Sequence, residues 1–201
     1  MKLFYSTGAC SMAPHIALLE TGLKFDLEKV DLATKQTASG DYMKINPKGS
    51  VPALVLDNGE VLTECAVILQ YIADLKPDSK LIAKSGTFER YRNQEWLNFV
   101  STDIHKGFGP LFAKDIPEVT DKAVRARLTK RFDFLSQHLT KNNFLMGAQY
   151  TVADAYLFTI ISWADHLKFD LAKWPSIMGF LERVKNRPAT HAALKAEGLL
   201  K

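Results

Sequence analysis

The spacing of apolar residues changes once along this chain, and that change limits what it can fold into. Up to about residue 76, short strand-like runs alternate with helix-like ones. Residues 2–5 form a brief apolar run ending in Ser6-Thr7-Gly8, as a buried strand entering a turn does. Pro14 suits a first helical turn, and Gly22 closes that segment as a C-terminal cap would. Residues 25–32 alternate apolar and charged side chains, the pattern of a half-buried strand. Residues 53–56 and 60–62 flank Asp57-Asn58-Gly59, a hairpin turn signal. Ile68, Leu69, Ile72 and Leu75 share one face of a helix over 66–75. The predicted order is β-α-β, then β-β-α.

The polar stretch Lys76-Pro77-Asp78-Ser79-Lys80, with Ser85-Gly86 soon after, marks a domain boundary. It separates an α/β domain at 1–78 from a second domain at 86–201. Beyond it the pattern is helical throughout. A long helix is predicted over 88–111. Val124, Leu128, Phe132, Leu135 and Leu139 form a stripe on the next helix, and Ala153, Leu157, Ile160, Ala164 and Leu167 form one on a third.

Composition removes several function classes. The net charge is +4, but 26 basic residues are interspersed with 22 acidic ones. No Lys/Arg block stands out, which gives nucleic-acid binding no support. A mild basic excess suits anionic small ligands. No stretch approaches the ~20 apolar residues of a membrane helix, so no membrane partner is expected. The first residues show no signal-peptide pattern. Two cysteines are too few for a disulfide framework or a zinc site, so no metal is expected. These features together suit a cytoplasmic, reducing compartment.

Three local features bear on chemistry. Cys10 lies between the first strand and the first helix. There, unpaired backbone N–H groups and the positive helix pole favour a thiolate, or could hold the thiol of a bound cofactor. The plainer reading is a small buried apolar residue. Residues 10–13 read Cys-Ser-Met-Ala, which leaves no nearby second cysteine to resolve a disulfide. Val51-Pro52 precedes a strand; a cis bond there would turn the Val51 backbone outward toward an extended ligand, and a trans bond would make it an ordinary loop. Thr151-Val152-Ala153-Asp154 is a capping box, assigned to helix initiation and folding rather than to chemistry.

Taken in order, several segments resemble the bacterial beta class of glutathione transferases across the whole chain. They are Gly8-Ala9-Cys10-Ser11, Asn46-Pro47-Lys48-Gly49, Val51-Pro52-Ala53-Leu54 and Leu62-Thr63-Glu64. In the second half they are Glu95-Trp96-Leu97-Asn98-Phe99, His105-Lys106-Gly107-Phe108 and the capping-box segment through Tyr156. The resemblance implies a glutathione transferase fold, a thioredoxin-like N-terminal domain followed by an all-α C-terminal domain, and a homodimer. It implies glutathione as co-substrate and a small electrophile as second substrate.

Residue by residue, the resemblance makes Pro52 cis and pairs the Val51 backbone with the cysteinyl unit of glutathione. Glu64 and Cys65 hold the γ-glutamyl end, and a helix N-terminus is a natural carboxylate site. Lys35 meets the glycine carboxylate. Asn98 and Thr102, Asp103, Ile104 and His105 correspond to positions that reach the site, part of them across the dimer. Asn98, Thr102, His105 and Lys106 also fall on one face of a regular helix. Cys65 departs from the Gly, Ser or Ala expected there, and leaves a second thiol near the site. The implied reaction is attack by glutathione sulfur on an electrophilic carbon, with Cys10 and His105 as catalytic candidates and thiol–disulfide exchange through Cys10 beside it. Two alternatives stay open: a glutaredoxin-like thiol oxidoreductase, and a non-catalytic binding protein on the same fold.

Overall fold

The computed structural model describes residues 1–200, and they fall into two compact units: 1–82 with 187–200, and 83–186. The first contains β1 (Lys2–Tyr5), α1 (Met12–Thr21), β2 (Asp26–Lys29), β3 (Gln36–Thr37), β4 (Gly40–Asp41), β5 (Ala53–Val55), β6 (Val61–Thr63) and α2 (Cys65–Leu75). Its main sheet runs β2-β1-β5-β6. β1 pairs parallel with β2, Leu3 facing Leu27, and antiparallel with β5, Leu3 facing Leu54. Only the β1–β2 step needs a crossover, and α1 provides it, as parallel pairing requires. Leu3 and Phe4 are both buried although they point to opposite faces, so β1 is covered on both sides. On one of these faces Phe4 packs with Val30, Tyr42, Val51 and Ala53. The 57–59 turn joins β5 to β6 with Gly59 at φ 87°. The small β3–β4 hairpin has no counterpart in the sequence pattern, because two-residue strands carry no periodicity.

Residues 187–200 group with this first unit. The last helix, which becomes α9 in chain order (Pro188–Ala196), packs on α1. Arg187 grips Glu20 through two hydrogen bonds of 2.7 and 2.9 Å. Just past α9, the buried Glu197 accepts from the Gly8 N–H at 2.9 Å and meets His15 Nδ1 at 3.0 Å.

The second unit is helical: α3 (Phe88–Phe99), α4 (Lys106–Phe108), α5 (Glu118–Lys141), α6 (Val152–Ile161), α7 (Trp163–His166) and α8 (Pro175–Lys185). α6 is buried at every position, apolar except for Asp154 and Thr159. Phe108, Phe132, Phe169 and Trp174 form an aromatic cluster with ring centroids 5.1–5.9 Å apart. Gly107 makes this packing possible: a Cβ there would lie 2.8 Å from Leu128 Cδ2.

Two helices differ from the sequence reading. The expected single helix over 88–111 is α-helical only to Phe99, then runs as a wider π-helix over Val100–His105. Past α4 it narrows to a 3₁₀ turn, Gly109–Phe112, entered through Pro110, which has no N–H to continue the ladder. The stripe from Ala153 to Leu167 is likewise split, α6 ending at Ile161 and α7 starting at Trp163. Apolar spacing survives such local changes of pitch, so the pattern does not register them.

Candidate functional site

In the first unit three segments far apart in sequence converge on Cys10. The loop before it is pinned by Ser11, whose hydroxyl accepts from the Ser6 N–H at 3.1 Å and bonds the Ser6 carbonyl at 3.3 Å. The Cys10 thiol donates to the Val51 carbonyl at 3.2 Å. The Val51–Pro52 peptide is cis, and Val51 lies two residues before β5, outside the sheet ladder. The third segment is the start of α2, where the Cys65 thiol reaches the Cys10 carbonyl at 3.5 Å. Neither cysteine is in a disulfide. The α1 N-terminus is tighter than expected from sequence: the Met12 and Ala13 N–H groups already bond the Ala9 and Cys10 carbonyls. What α1 still offers Cys10 is the positive pole of its dipole.

The loop carrying Val51 is held from below. Tyr42, fully buried, donates its hydroxyl to the Ser50 carbonyl at 2.8 Å, and the Asn46 amide donates to the same oxygen at 2.7 Å. Burial pushes the Tyr42 hydroxyl above its usual pKa, so it stays a neutral donor. Gly49 adopts φ 64°, a left-handed turn that glycine accommodates without strain. Tyr42 was not singled out in the sequence, where nothing distinguishes it from any other core aromatic.

Lys35 and Glu64 flank this arrangement, and each has a backbone that non-glycine residues seldom adopt. Lys35 sits at φ 59°, and its ammonium donates to the Gly49 carbonyl at 2.8 Å. Glu64, at φ 70°, is the residue that α2 starts from; its carbonyl accepts from the Val67 and Ile68 N–H groups. Its side chain is exposed and paired with Lys48. Such backbone outliers cost about 1–3 kcal/mol each and concentrate at functional sites.

The other candidates lie in the second unit, on and beside the π-helical turn. Asn98 and Thr102 are exposed, Ile104 is buried, and Asp103 pairs with Arg131 on α5 at 2.6 Å. A π-helical turn takes more residues than an α-turn, so positions 98, 102, 105 and 106 do not keep the angular spacing a regular helix would give them. His105 Nδ1 is 2.6 Å from the Tyr156 hydroxyl on α6. The Trp163 ring meets the His105 ring edge-to-face at 5.1 Å. Tyr156 and Trp163 thereby set the orientation of the imidazole, a role that no sequence signal marks. Thr151 and Asp154 make the capping box expected of them. Asp154 is fully buried, and it accepts from the Thr151 N–H at 2.8 Å, the Thr151 hydroxyl at 3.0 Å and the Leu145 N–H at 2.7 Å.

Among the described residues no cluster of three metal-ligating side chains occurs, and no helix is long and apolar enough to cross a membrane.

Comparison with known proteins matches two family models: the glutathione S-transferase N-terminal domain over residues 7–75, and its C-terminal domain over 88–188. Glutathione S-transferase GstA of Escherichia coli O157:H7 is 47% identical over 200 residues, which span 99% of this chain and 100% of the relative. A sphingomonad glutathione S-transferase solved in complex with glutathione superposes with a TM-score of 0.96 at 44% identity, covering 99% of this chain and 100% of that one. A bacterial beta-class glutathione S-transferase of Sphingomonas chungbukensis superposes with a TM-score of 0.95 at 45% identity, covering both chains in full.

Proposed function

The chain belongs to the glutathione S-transferase family, in its bacterial beta class, and we propose that it ionises and positions the glutathione thiol beside Cys10. It is a glutathione transferase. The observation that carries the proposed placement is the convergence of Cys10, the carbonyl of Val51 and the start of α2 in one unit. In this reading the cysteinyl unit of glutathione lies along Val51 beside Pro52. The γ-glutamyl carboxylate is held at the start of α2 by Glu64 and Cys65. Lys35 reaches the glycine carboxylate, exchanging its bond to the Gly49 carbonyl for an ion pair.

A thiolate is the competent nucleophile, so the protein's task is to keep the sulfur ionised. The positive pole of α1 favours that state. The second substrate is a small electrophile of largely apolar character. His105 is proposed to transfer a proton in the reaction, as an imidazole can both donate and accept one. Asn98, Thr102, Asp103 and Ile104 are proposed as further contacts to glutathione, part of them across a dimer. A second activity, reduction of small disulfides, follows from Cys10 forming a mixed disulfide with glutathione.

The homodimer is part of the proposal. Phe88 and Tyr91 on α3 and Phe134 on α5 are exposed, and Phe134 lines a largely apolar groove of roughly 510 Å³ with Trp96, Phe99, Leu145 and Met146, edged by Arg92 and Glu95. A second copy would cover that surface, whereas solvent penalises it. Light scattering at micromolar concentration should give twice the 22.5 kDa chain mass.

The binding reading is tested by thermal unfolding. Millimolar glutathione should raise the midpoint, because a ligand of the folded state stabilises it by mass action. Absence of a shift, together with no retention on glutathione resin, would overturn the site assignment.

A further inference from the structure

The residues after Cys10 offer no resolving cysteine, since 10–13 read Cys-Ser-Met-Ala. The fold brings one from elsewhere. α2 begins at Cys65 and packs against α1, and the Cys65 thiol points at the main chain of Cys10, 3.5 Å from its carbonyl oxygen. Two thiols therefore stand at the N-terminal ends of two packed helices. The positive pole of each helix favours the thiolate there. Bond lengths put a carbonyl oxygen about 2.4 Å from its own Cα, so the Cys65 sulfur is within about 6 Å of the Cys10 Cα. A disulfide holds its two Cα atoms about 4.4–6.8 Å apart, so closing one here requires χ1 rotation of both cysteines, with whatever shift of the two helix starts brings the sulfurs to bonding distance.

We propose that Cys65 is the resolving cysteine for Cys10: it attacks the mixed disulfide between Cys10 and glutathione and closes a Cys10–Cys65 disulfide. The proposal rests on the reading of Cys10 as the residue that faces glutathione sulfur. The steps balance without any further oxidant. The Cys10 thiolate attacks oxidised glutathione, forming the Cys10–glutathione disulfide and releasing one glutathione thiolate. The Cys65 thiolate then attacks the Cys10 sulfur, and the second glutathione leaves as thiolate. Each cysteine has lost a proton and each departing glutathione gains one. The two protein thiols are oxidised, and one glutathione disulfide is reduced to two glutathione molecules. Both cysteines are buried, which confines the second attack to the neighbouring sulfur. Run backward with reduced glutathione, the same pair returns to two thiols, so the dithiol can cycle as a catalyst of disulfide exchange.

The test uses the full chain, reduced, freed of reductant and exposed to excess oxidised glutathione. Acid quenching and alkylation with iodoacetamide are followed by intact-mass measurement under denaturing conditions. Wild type should lose both alkylatable thiols, carry no tripeptide, and run as a single chain on a non-reducing gel. Cys65→Ser should retain one tripeptide on Cys10, at an occupancy at least tenfold above wild type. A wild type that keeps the tripeptide while Cys65 still alkylates overturns the resolving role and leaves the glutathione-facing reading of Cys10 standing. A cross-link between two chains overturns it as well. If neither protein takes up the tripeptide nor loses thiols, the reading of Cys10 falls, and the resolving role with it. The wild-type arm decides the matter even if Cys65→Ser fails to fold.

Discussion

Asp154→Ala should cost the protein much of its stability and little of its chemistry per folded molecule. The carboxylate is fully buried and accepts three hydrogen bonds, two from backbone N–H groups and one from a hydroxyl. Its removal ends the helix cap, worth about 1 kcal/mol. It also leaves the Thr151 and Leu145 N–H groups without an acceptor, at about 1–3 kcal/mol each. The expected loss is therefore about 3–7 kcal/mol, against a typical total of about 5–15 kcal/mol. The contact to Leu145 adds a further consequence: Asp154 ties the 144–147 segment to the start of α6, so loop and helix should loosen together. Urea unfolding followed by tryptophan fluorescence reads this directly, because Trp96, Trp163 and Trp174 all lie in the unit that contains the cap. Burial pushes the Asp154 carboxyl up to about 6, against the hydrogen bonds that pull it down. The folded form thus binds more protons than an unfolded aspartate. The stability this group contributes is full below about pH 4 and declines as pH rises through about 6, by up to about 3 kcal/mol. The gap between wild type and Asp154→Ala should accordingly be wider at pH 4 than at pH 7. A variant within about 0.5 kcal/mol of wild type on the urea scale, inside the extrapolation error, or one of normal stability without activity, would refute the structural assignment.

Glu28 should govern part of the acid unfolding. Burial works to raise its carboxyl, but hydrogen bonds from Lys2, Ser39 and Thr37 outweigh it and hold the group at about 2. Its stabilisation is present above the unfolded value near 4.5 and lost as pH falls toward 2; Glu28→Gln should flatten that limb by about 1–2 kcal/mol in acid titrations followed by circular dichroism. Cys10→Ala should abolish most disulfide reductase activity and reduce aryl halide conjugation less, because glutathione itself is the nucleophile in conjugation; equal loss of both would argue against that division. Gly107→Ala should destabilise the helical unit by about 1–3 kcal/mol, through a Cβ forced to within 2.8 Å of Leu128, and a midpoint unchanged in urea would show that Leu128 can move aside.

The fold was legible wherever periodicity is long enough to register. The β-α-β and β-β-α order, the hairpin at 57–59, the caps at Gly22 and Thr151 and the stripe on α5 all follow from side-chain spacing, and each appears where the residues place it. What spacing does not encode is long-range partnership. α9 reads as one more helix of a helical half, yet its contacts are with α1, through Arg187 on Glu20 and Glu197 on Gly8 and His15. Nothing in the periodicity of 188–196 says which surface it will bury. The π-helical turn at Val100–His105 is hidden for a related reason: one added residue per turn leaves the apolar count almost unchanged.

The candidate site divides along a different line. Chemistry carried by a residue type at a helix start was readable, which is why Cys10 stood out; Glu64, Lys35 and the cis bond before Pro52 entered through the family resemblance. Chemistry carried by backbone conformation was not. The φ values of Lys35 and Glu64 and the Tyr42 hydroxyl beneath the loop arise only when distant segments meet. Cys65 belongs to both classes. Its position one residue past Glu64 suggests a contact to glutathione, but its direction toward the Cys10 carbonyl is a property of two packed helices. A local sequence test for a resolving cysteine looks two or three residues beyond the nucleophile and finds none. In a fold where α1 and α2 start side by side, the relevant neighbour is instead the first residue of the other helix. The packing of α1 on α2 sets the Cys65 thiol against the main chain of Cys10. In the proposed resolving role, a hydroxyl at position 65 leaves a mixed disulfide at Cys10 in place and a thiol there resolves it.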